Sequence, residues 1–317
     1  MSGAAKQPAS VSTFQRAVYF LRLGRPLHLL GGFLFNGLGV SIAYYLGAEI
    51  NWTIALWCQV AITATQLMTH YSNDYFDQDA DAATVTPTRW AGGSRVLPDG
   101  LIRPRAALAA ALVCCGVALG ATAVLVVTVS GPLLTLVLLL LALALAWSYS
   151  SPPLWLNRRG LGEITGALLV PGLTTLLGFQ VQAGRLAAQP LLAVVPLCCF
   201  QFAMLLSVNF PDAVGDARVG KQTLVVIFGP AQSGRFFVGA LALAYLLLPL
   251  LVLAGLPGQV ALVVLLTSPI AAWQAWRIRR GAATDSAAWD ALGFWSIGLL
   301  MTAALLEAVA FVALTVI

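Results

Sequence analysis

Long uncharged, apolar runs separated by short polar segments fill almost the whole chain, and their lengths decide what they are. A helix needs about 20 apolar residues to cross a bilayer. Pro26 to Ala48 and Trp52 to Tyr71 each supply one such length. No charge occurs from Ala106 to Asn157, enough for two helices broken at Ser130-Gly131-Pro132. Leu161 to Ala183 and Pro190 to Phe210 follow as the fifth and sixth spans. Phe236 to Trp276 is a second double length, with its turn at Gly255-Leu256-Pro257-Gly258, and Ala291 to Val316 is the last span. The pattern predicts an all-α polytopic membrane protein, about nine transmembrane helices in a single bundle with cytoplasmic cap loops.

Composition agrees with that class: 60% of residues are hydrophobic and only 9% charged, far from the balance of a soluble domain. The few basic residues then set the orientation. Sixteen of the 17 fall on one side of a nine-span topology, with Arg185 alone on the other, so the N-terminus and that side are expected to be cytoplasmic. The setting this implies is the cell's inner membrane. The formal charge of +5 is mostly this topological signal and does not argue for a nucleic-acid partner. Residues 1–15 are polar and read as a flexible cytoplasmic tail, leaving 16–317 as the transmembrane domain. The first apolar span starts late and has no small-residue cleavage site, so no cleavable signal peptide is expected. Cys58, Cys114, Cys115, Cys198 and Cys199 all fall within spans and read as small apolar packers.

Two acidic segments break the apolar pattern and share one spacing. Asp74, Asp77 and Asp81 recur as Asn209, Asp212 and Asp216, at a constant offset of 135 residues. Positions i, i+3 and i+7 fall on one helix face, so each segment can aim three oxygen-bearing side chains the same way, and Asn73, four residues before Asp77, can join the first. A carboxylate at mid-bilayer costs on the order of 3 kcal/mol. Six of the twelve acidic residues nevertheless lie in these two segments, which argues for bound cations rather than ordinary helix capping. Oxygen-only clusters suit a hard cation, and Mg²⁺ typically takes one or two carboxylates plus phosphate oxygens from a substrate. A Mg²⁺-diphosphate site follows.

Cations and an aromatic group flank these segments. A broken loop after Asp81 carries Arg95, placed to meet a phosphate or to anchor topology. Lys221, in a glycine turn after Asp216, can bind phosphate as a point charge or pair with Asp216. Arg158 and Arg159 follow the fourth span, whose end carries Tyr149, either an interfacial aromatic or a ring that faces a developing carbocation. At the mouth of the first span, Arg22 and Arg25 can snorkel to headgroups or reach a diphosphate. Arg22 is favoured for the second role, and His28 reads as structural.

Asn73-Asp74-Tyr75-Phe76-Asp77-Gln78-Asp79-Ala80-Asp81 and Asp212-Ala213-Val214-Gly215-Asp216 resemble the paired motifs of the UbiA superfamily of intramembrane prenyltransferases. The similarity extends to Arg95-Val96-Leu97-Pro98-Asp99-Gly100, to Tyr149-Ser150-Ser151-Pro152-Pro153 and to Leu161-Gly162-Glu163. The stretch from Asn209 through Gly220-Lys221 to Thr223-Leu224 is most similar to the dihydroxynaphthoate polyprenyltransferases. Asn157 stands where many relatives carry Lys, and Gly220 replaces a further carboxylate that some relatives have.

The resemblance implies two Mg²⁺ ions bridging a polyprenyl diphosphate to Asn73, Asp77 and Asp81 on one side and Asp212 and Asp216 on the other. Asp74 and Asn209 would be additional members. Arg22, Arg95, Arg158, Arg159 and Lys221 would contact the diphosphate. Ionisation to an allylic cation, faced by Tyr149, would precede attack by an aromatic acceptor, with 1,4-dihydroxy-2-naphthoate of menaquinone biosynthesis the implied one. Rival readings are another acceptor (homogentisate, 4-hydroxybenzoate, a chlorophyll-type ring), a membrane terpene cyclase, and a non-enzymatic divalent-ion-binding membrane protein. The last would place carboxylates at mid-span rather than at one rim.

Overall fold

The computed structural model describes residues 12–316. Of the predicted tail, residues 1–11, Lys6 among them, lie outside that range. The rest of it is already helix: α1 (Thr13–Leu23) starts from an Ser12 cap, in which Ser12 Oγ accepts from the Gln15 amide and Gln15 Oε1 accepts from the Ser12 amide. Phe14, Val18 and Leu21, at i, i+4 and i+7, leave one side of α1 apolar and exposed, the pattern of a helix lying in a membrane interface.

Helix makes up 78% of the structure, no strand occurs among the described residues, and every predicted span corresponds to one or more of the helices that follow. In order they are α2 (Pro26–Tyr45), α3 (Trp52–Phe76), α4 (Gln78–Ala83), α5 (Pro104–Thr128) and α6 (Pro132–Ser150). Next come α7 (Gly162–Ala167), running through a π-helical turn at Leu168–Leu173 into α8 (Thr174–Ala183), then α9 (Ala188–Asn209) and α10 (Ala213–Arg218). The chain ends with α11 (Leu224–Leu246), α12 (Leu248–Leu253), α13 (Gly258–Leu265), α14 (Ser268–Arg279) and α15 (Ser286–Val316). Among the described residues, seven segments are long and apolar enough to cross a membrane, and α13 with α14, bent by 42°, make an eighth. The remaining predicted span, the second, is α3, which has 25 residues but is less apolar because it carries Gln59, Thr63, Thr65, Gln66 and Thr69.

Span ends moved where the charge-free criterion ignored backbone chemistry. α6 stops at Ser150, within the expected Tyr149–Pro153 end and short of the charge-free limit at Asn157, because Pro152 and Pro153 cannot donate to a helix. α11 starts at Leu224, before Arg235, with a break at Gly229-Pro230. Pro171 sits in the π-turn, where a wider helix accommodates its missing N–H.

α15 packs on α2 and α9, so the last helix closes the bundle against the first spans, while α3 packs on α5 and α2 on α8. Four apolar clusters result, two of them large. Phe35, Phe179, Phe200, Phe237 and Phe311 fill the largest, and Cys58, Leu125, Leu138 and Leu177 the second. α2 and α8 cross almost backbone to backbone: a Cβ on Gly39 would lie 2.2 Å from the Thr175 carbonyl oxygen. Small residues permit such an approach where water supplies no hydrophobic drive between helices.

Candidate active site

Each acidic segment was expected to ride on one helix, and each instead straddles a break. α3 ends at Phe76, Asp77 caps it, and Asp81 lies on α4. α9 ends at Asn209, Asp212 caps α10, and Asp216 lies on that helix. Both helix ends emerge at the same end of the bundle, where α4 and α10 pack together. The breaks turn the two segments toward each other.

Lys221 joins them, its Nζ 3.2 Å from Asp77 Oδ2 and 3.4 Å from Asp216 Oδ1. Asp77, only 1% exposed, is the most heavily bonded carboxylate. Its Oδ2 accepts from Asn73 Nδ2 at 2.9 Å and Asn157 Nδ2 at 2.6 Å, and its Oδ1 from Arg158 Nε at 3.2 Å. Arg158 also donates to the Phe76 carbonyl at 2.5 Å, holding the η-turn Leu156–Arg158 over the end of α3. Asp212 accepts from the Thr84 hydroxyl and the Gly92 amide, both at 3.1 Å, so the loop after α4 is fastened to the second segment.

The third position of each segment is different. Asp81 Oδ2 and Asp216 Oδ2 are buried and have no partner. Gly93 (φ 70°) passes so close that a Cβ there would lie 1.9 Å from Asp81 Oδ2, so glycine alone lets the loop cover this carboxylate. Burial, reinforced by Asp74, pushes Asp81 up to about 8. Burial also pushes Asp216 up to about 6, against the pull of Lys221, and raises Asp212 above the usual carboxylate range. For Lys221 burial opposes the charge, yet Asp77, Asp216, Asp212 and Asp81 together hold it above the usual ammonium range.

Several predicted site residues take other places. Asp74 pairs with Arg25 and the Ser94 hydroxyl, tying α3 to the start of α2 and to the loop. Asn209 donates to Glu163 Oε1 at 3.0 Å, the oxygen that also accepts the Leu224 amide at 2.9 Å. Arg95 reaches the Asp81 carbonyl and lies 3.6 Å from Asp99. Tyr149 stands beside α7, within electrostatic reach of Glu163, Lys221 and Asp77. Arg159 is exposed and turned to the Pro153 carbonyl, so Arg158 is the member of that pair at the acidic centre. Arg22 is exposed on α1, and Arg25 occupies the place expected of it.

The sequence reading missed Asn157, Ser94, Thr84 and the clamp made by Glu163. Only Glu163 left a signal, as a lone carboxylate at the start of an apolar span.

Among the described residues no three His, Cys, Asp or Glu side chains converge as a ready-made metal cage. Buried free oxygens on two separate carboxylates, Asp81 and Asp216, instead form a site that divalent cations shared with an anionic substrate would complete. The profile of the UbiA prenyltransferase family matches residues 33–314. The chain belongs to the UbiA prenyltransferase family. It is an intramembrane prenyltransferase.

A 1,4-dihydroxy-2-naphthoate octaprenyltransferase of Mycobacterium tuberculosis is 30% identical over 68% of this chain and 72% of its own. A digeranylgeranylglyceryl phosphate synthase of Natronomonas pharaonis is 32% identical over 65% of this chain and 69% of its own. A UbiA homologue of Archaeoglobus fulgidus, solved with GPP and Mg²⁺, shares the fold: TM-score 0.64 at 16% identity, over 93% of this chain and 99% of that one. In this UbiA member the two halves of the acidic centre meet through Lys221.

Proposed function

We propose that this UbiA member transfers a polyprenyl group from its diphosphate to an aromatic quinone precursor, with 1,4-dihydroxy-2-naphthoate as the acceptor and the acidic end of the bundle facing the cytoplasm. One observation carries the reading: two buried, unpartnered carboxylate oxygens, on Asp81 and Asp216, stand on opposite segments bridged by one lysine. Asn73, Asp77 and Asp81 on one side and Asp212 and Asp216 on the other would hold Mg²⁺. Bound with the donor, Mg²⁺ would offset the charge that builds on the departing diphosphate.

The chain's own groups do the rest. Lys221 and Arg158, half-buried beside Asp77, would receive diphosphate oxygens and hold them after the carbon–oxygen bond breaks. Asn157 and Asn73 fix the Asp77 carboxylate from two sides, so it needs no reorganisation as charge develops. The loop fastened by Asp212 and Asp74 covers the centre and keeps water from the allylic cation. Tyr149 presents a ring toward that cation. The prenyl chain partitions among apolar helices, each buried CH₂ contributing about 0.8 kcal/mol. Two relatives named as dihydroxynaphthoate octaprenyltransferases, at 30% and 25% identity, support the choice of acceptor.

The test is an assay of purified protein in detergent with geranylgeranyl diphosphate, dihydroxynaphthoate and Mg²⁺, with products followed by mass spectrometry. A prenylated, decarboxylated naphthoquinol is expected, lost with EDTA and in Asp77→Ala and Asp212→Ala. Release of diphosphate without that product would overturn the acceptor and leave the ionising site standing. The glyceryl phosphate acceptor implied by the Natronomonas relative's name and other aromatics would then be tried in turn.

A further inference from the structure

The first acidic segment continues inward as a polar stripe. Gln59, Thr63, Gln66, His70, Asn73 and Asp77 follow one another at intervals of three and four residues along α3, and so share one face. Most of these side chains are satisfied. Gln59 accepts from Asn36 Nδ2 at 3.0 Å and donates to Thr63 Oγ1 at 2.9 Å. Gln66 Nε2 reaches the His28 carbonyl at 3.5 Å, and Asn73 is bonded to Asp77. Two atoms of the stripe are buried without a partner, Gln66 Oε1 and His70 Nε2.

The surroundings of His70 are aromatic and cationic. The chain has two histidines, 42 residues apart in sequence, and the fold brings both here, with ring centroids 6.0 Å apart at 72°. Trp90, from the loop that covers the acidic centre, lies 6.5 Å from His28, and its indole Nε1 is also buried and unpartnered. Arg25 stands within electrostatic reach of both imidazoles, and its Nε completes a set of three unpartnered buried nitrogens. Buried polar atoms without partners cost free energy, and where several gather beside a reaction centre a ligand is the economical explanation. An imidazole both donates and accepts, as a ring hydroxyl does, and aromatic side chains offer edges and faces on which another ring can pack. The prenyl chain, which has no polar atoms, answers none of this.

We propose that the aromatic acceptor enters on the α2–α3 side of the centre, with its ring among His28, His70 and Trp90 and its hydroxyl on His70 Nε2, so that His70 and Trp90 determine acceptor specificity. This rests on the prenyltransferase reading and adds to it the place of the second substrate. It predicts a split between the two substrates, because none of these groups bonds the carboxylates that face the diphosphate.

The test uses the full-length protein and compares His70→Phe, which keeps a ring and loses both nitrogens, with Trp90→Phe, which alters the loop and no membrane helix. For both, KM for the acceptor should rise about tenfold, while KM for geranylgeranyl diphosphate stays within about twofold. Binding of dihydroxynaphthoate without donor, read from its own fluorescence, should weaken in parallel. An unchanged acceptor KM in Trp90→Phe, or equal rises for donor and acceptor in either variant, overturns the proposal. If wild type prenylates a different aromatic compound, the same KM comparison is read on that compound, and only the naphthoate assignment falls. If it prenylates a non-aromatic acceptor alone, the pocket falls too.

Discussion

The two acidic segments share a spacing but not an employment. At the first position, Asp74 is 1% exposed and holds Arg25 and Ser94, whereas Asn209 holds the carboxylate of Glu163. At the second, Asp77 is gripped by Asn73, Asn157, Arg158 and Lys221, whereas Asp212 is gripped by an amide and a hydroxyl from the loop after α4. Only at the third do they coincide, each with one buried free oxygen, Asp81 Oδ2 and Asp216 Oδ2. The repeat therefore matches in environment only at the third position, and the others serve two kinds of scaffolding. One is built on ion pairs, the other on hydrogen bonds from neutral donors to carboxylates.

If the third positions are equivalent, removing either should be equally damaging. Asp81→Asn and Asp216→Asn keep shape and remove the charge. Each is expected to lower kcat by roughly 10² to 10³-fold at saturating Mg²⁺. A rate assay on both variants decides this, and a tenfold difference between them would show that one half carries the donor almost alone.

The first positions should diverge in stability instead of rate. Asp74→Ala leaves the half-buried Arg25 guanidinium without its carboxylate and the Ser94 hydroxyl without its acceptor, and is expected to cost about 3 kcal/mol. Asn209→Ala removes one hydrogen bond to Glu163, whose Oε1 still accepts the Leu224 amide, and is expected to cost about 1 kcal/mol. Thermal unfolding in detergent reads the difference. Equal losses would mean that ion pair and hydrogen bond are interchangeable scaffolds and would remove the contrast drawn above.

Much of this was legible in the sequence, and the exceptions share a cause. Charge-free length located every span, because the bilayer imposes one length on all of them. Spacing located both acidic segments, although it read each as a single helix. A break at Asp77 changes no periodicity, since the Asp81 amide still donates to the Asp77 carbonyl at 2.9 Å. The choice between Arg22 and Arg25 was not legible. It turns on Arg25 adopting φ 47° at the cap of α2, which reverses the chain between α1 and α2 and sends one arginine to Asp74 and the other outward. Nor was Asn157, which looked like the loss of a basic residue. It is instead a neutral donor to a carboxylate that Arg158 and Lys221 already balance. Such roles depend on which groups meet across the gap, and local pattern carries no record of that.

The smallest predicted effect tests the third positions without a mutation. Burial raises both Asp81, to about 8, and Asp216, to about 6, so in the absence of a cation each holds its proton to higher pH than an ordinary carboxylate. Binding Mg²⁺ must displace those protons, so the linkage runs one way: the Mg²⁺ concentration giving half-maximal rate should fall as pH rises from 6 to 8, by several-fold, and flatten above. Because Asp81 titrates later, Asp81→Asn should remove the alkaline part of that fall and leave the part near pH 6, while Asp216→Asn should do the reverse. Residual rates in these variants suffice for Mg²⁺ titrations at pH 6, 7 and 8. A half-maximal Mg²⁺ concentration independent of pH would mean that neither carboxylate is a proton-competing ligand. The free oxygens would then be filled by the covering loop rather than by metal.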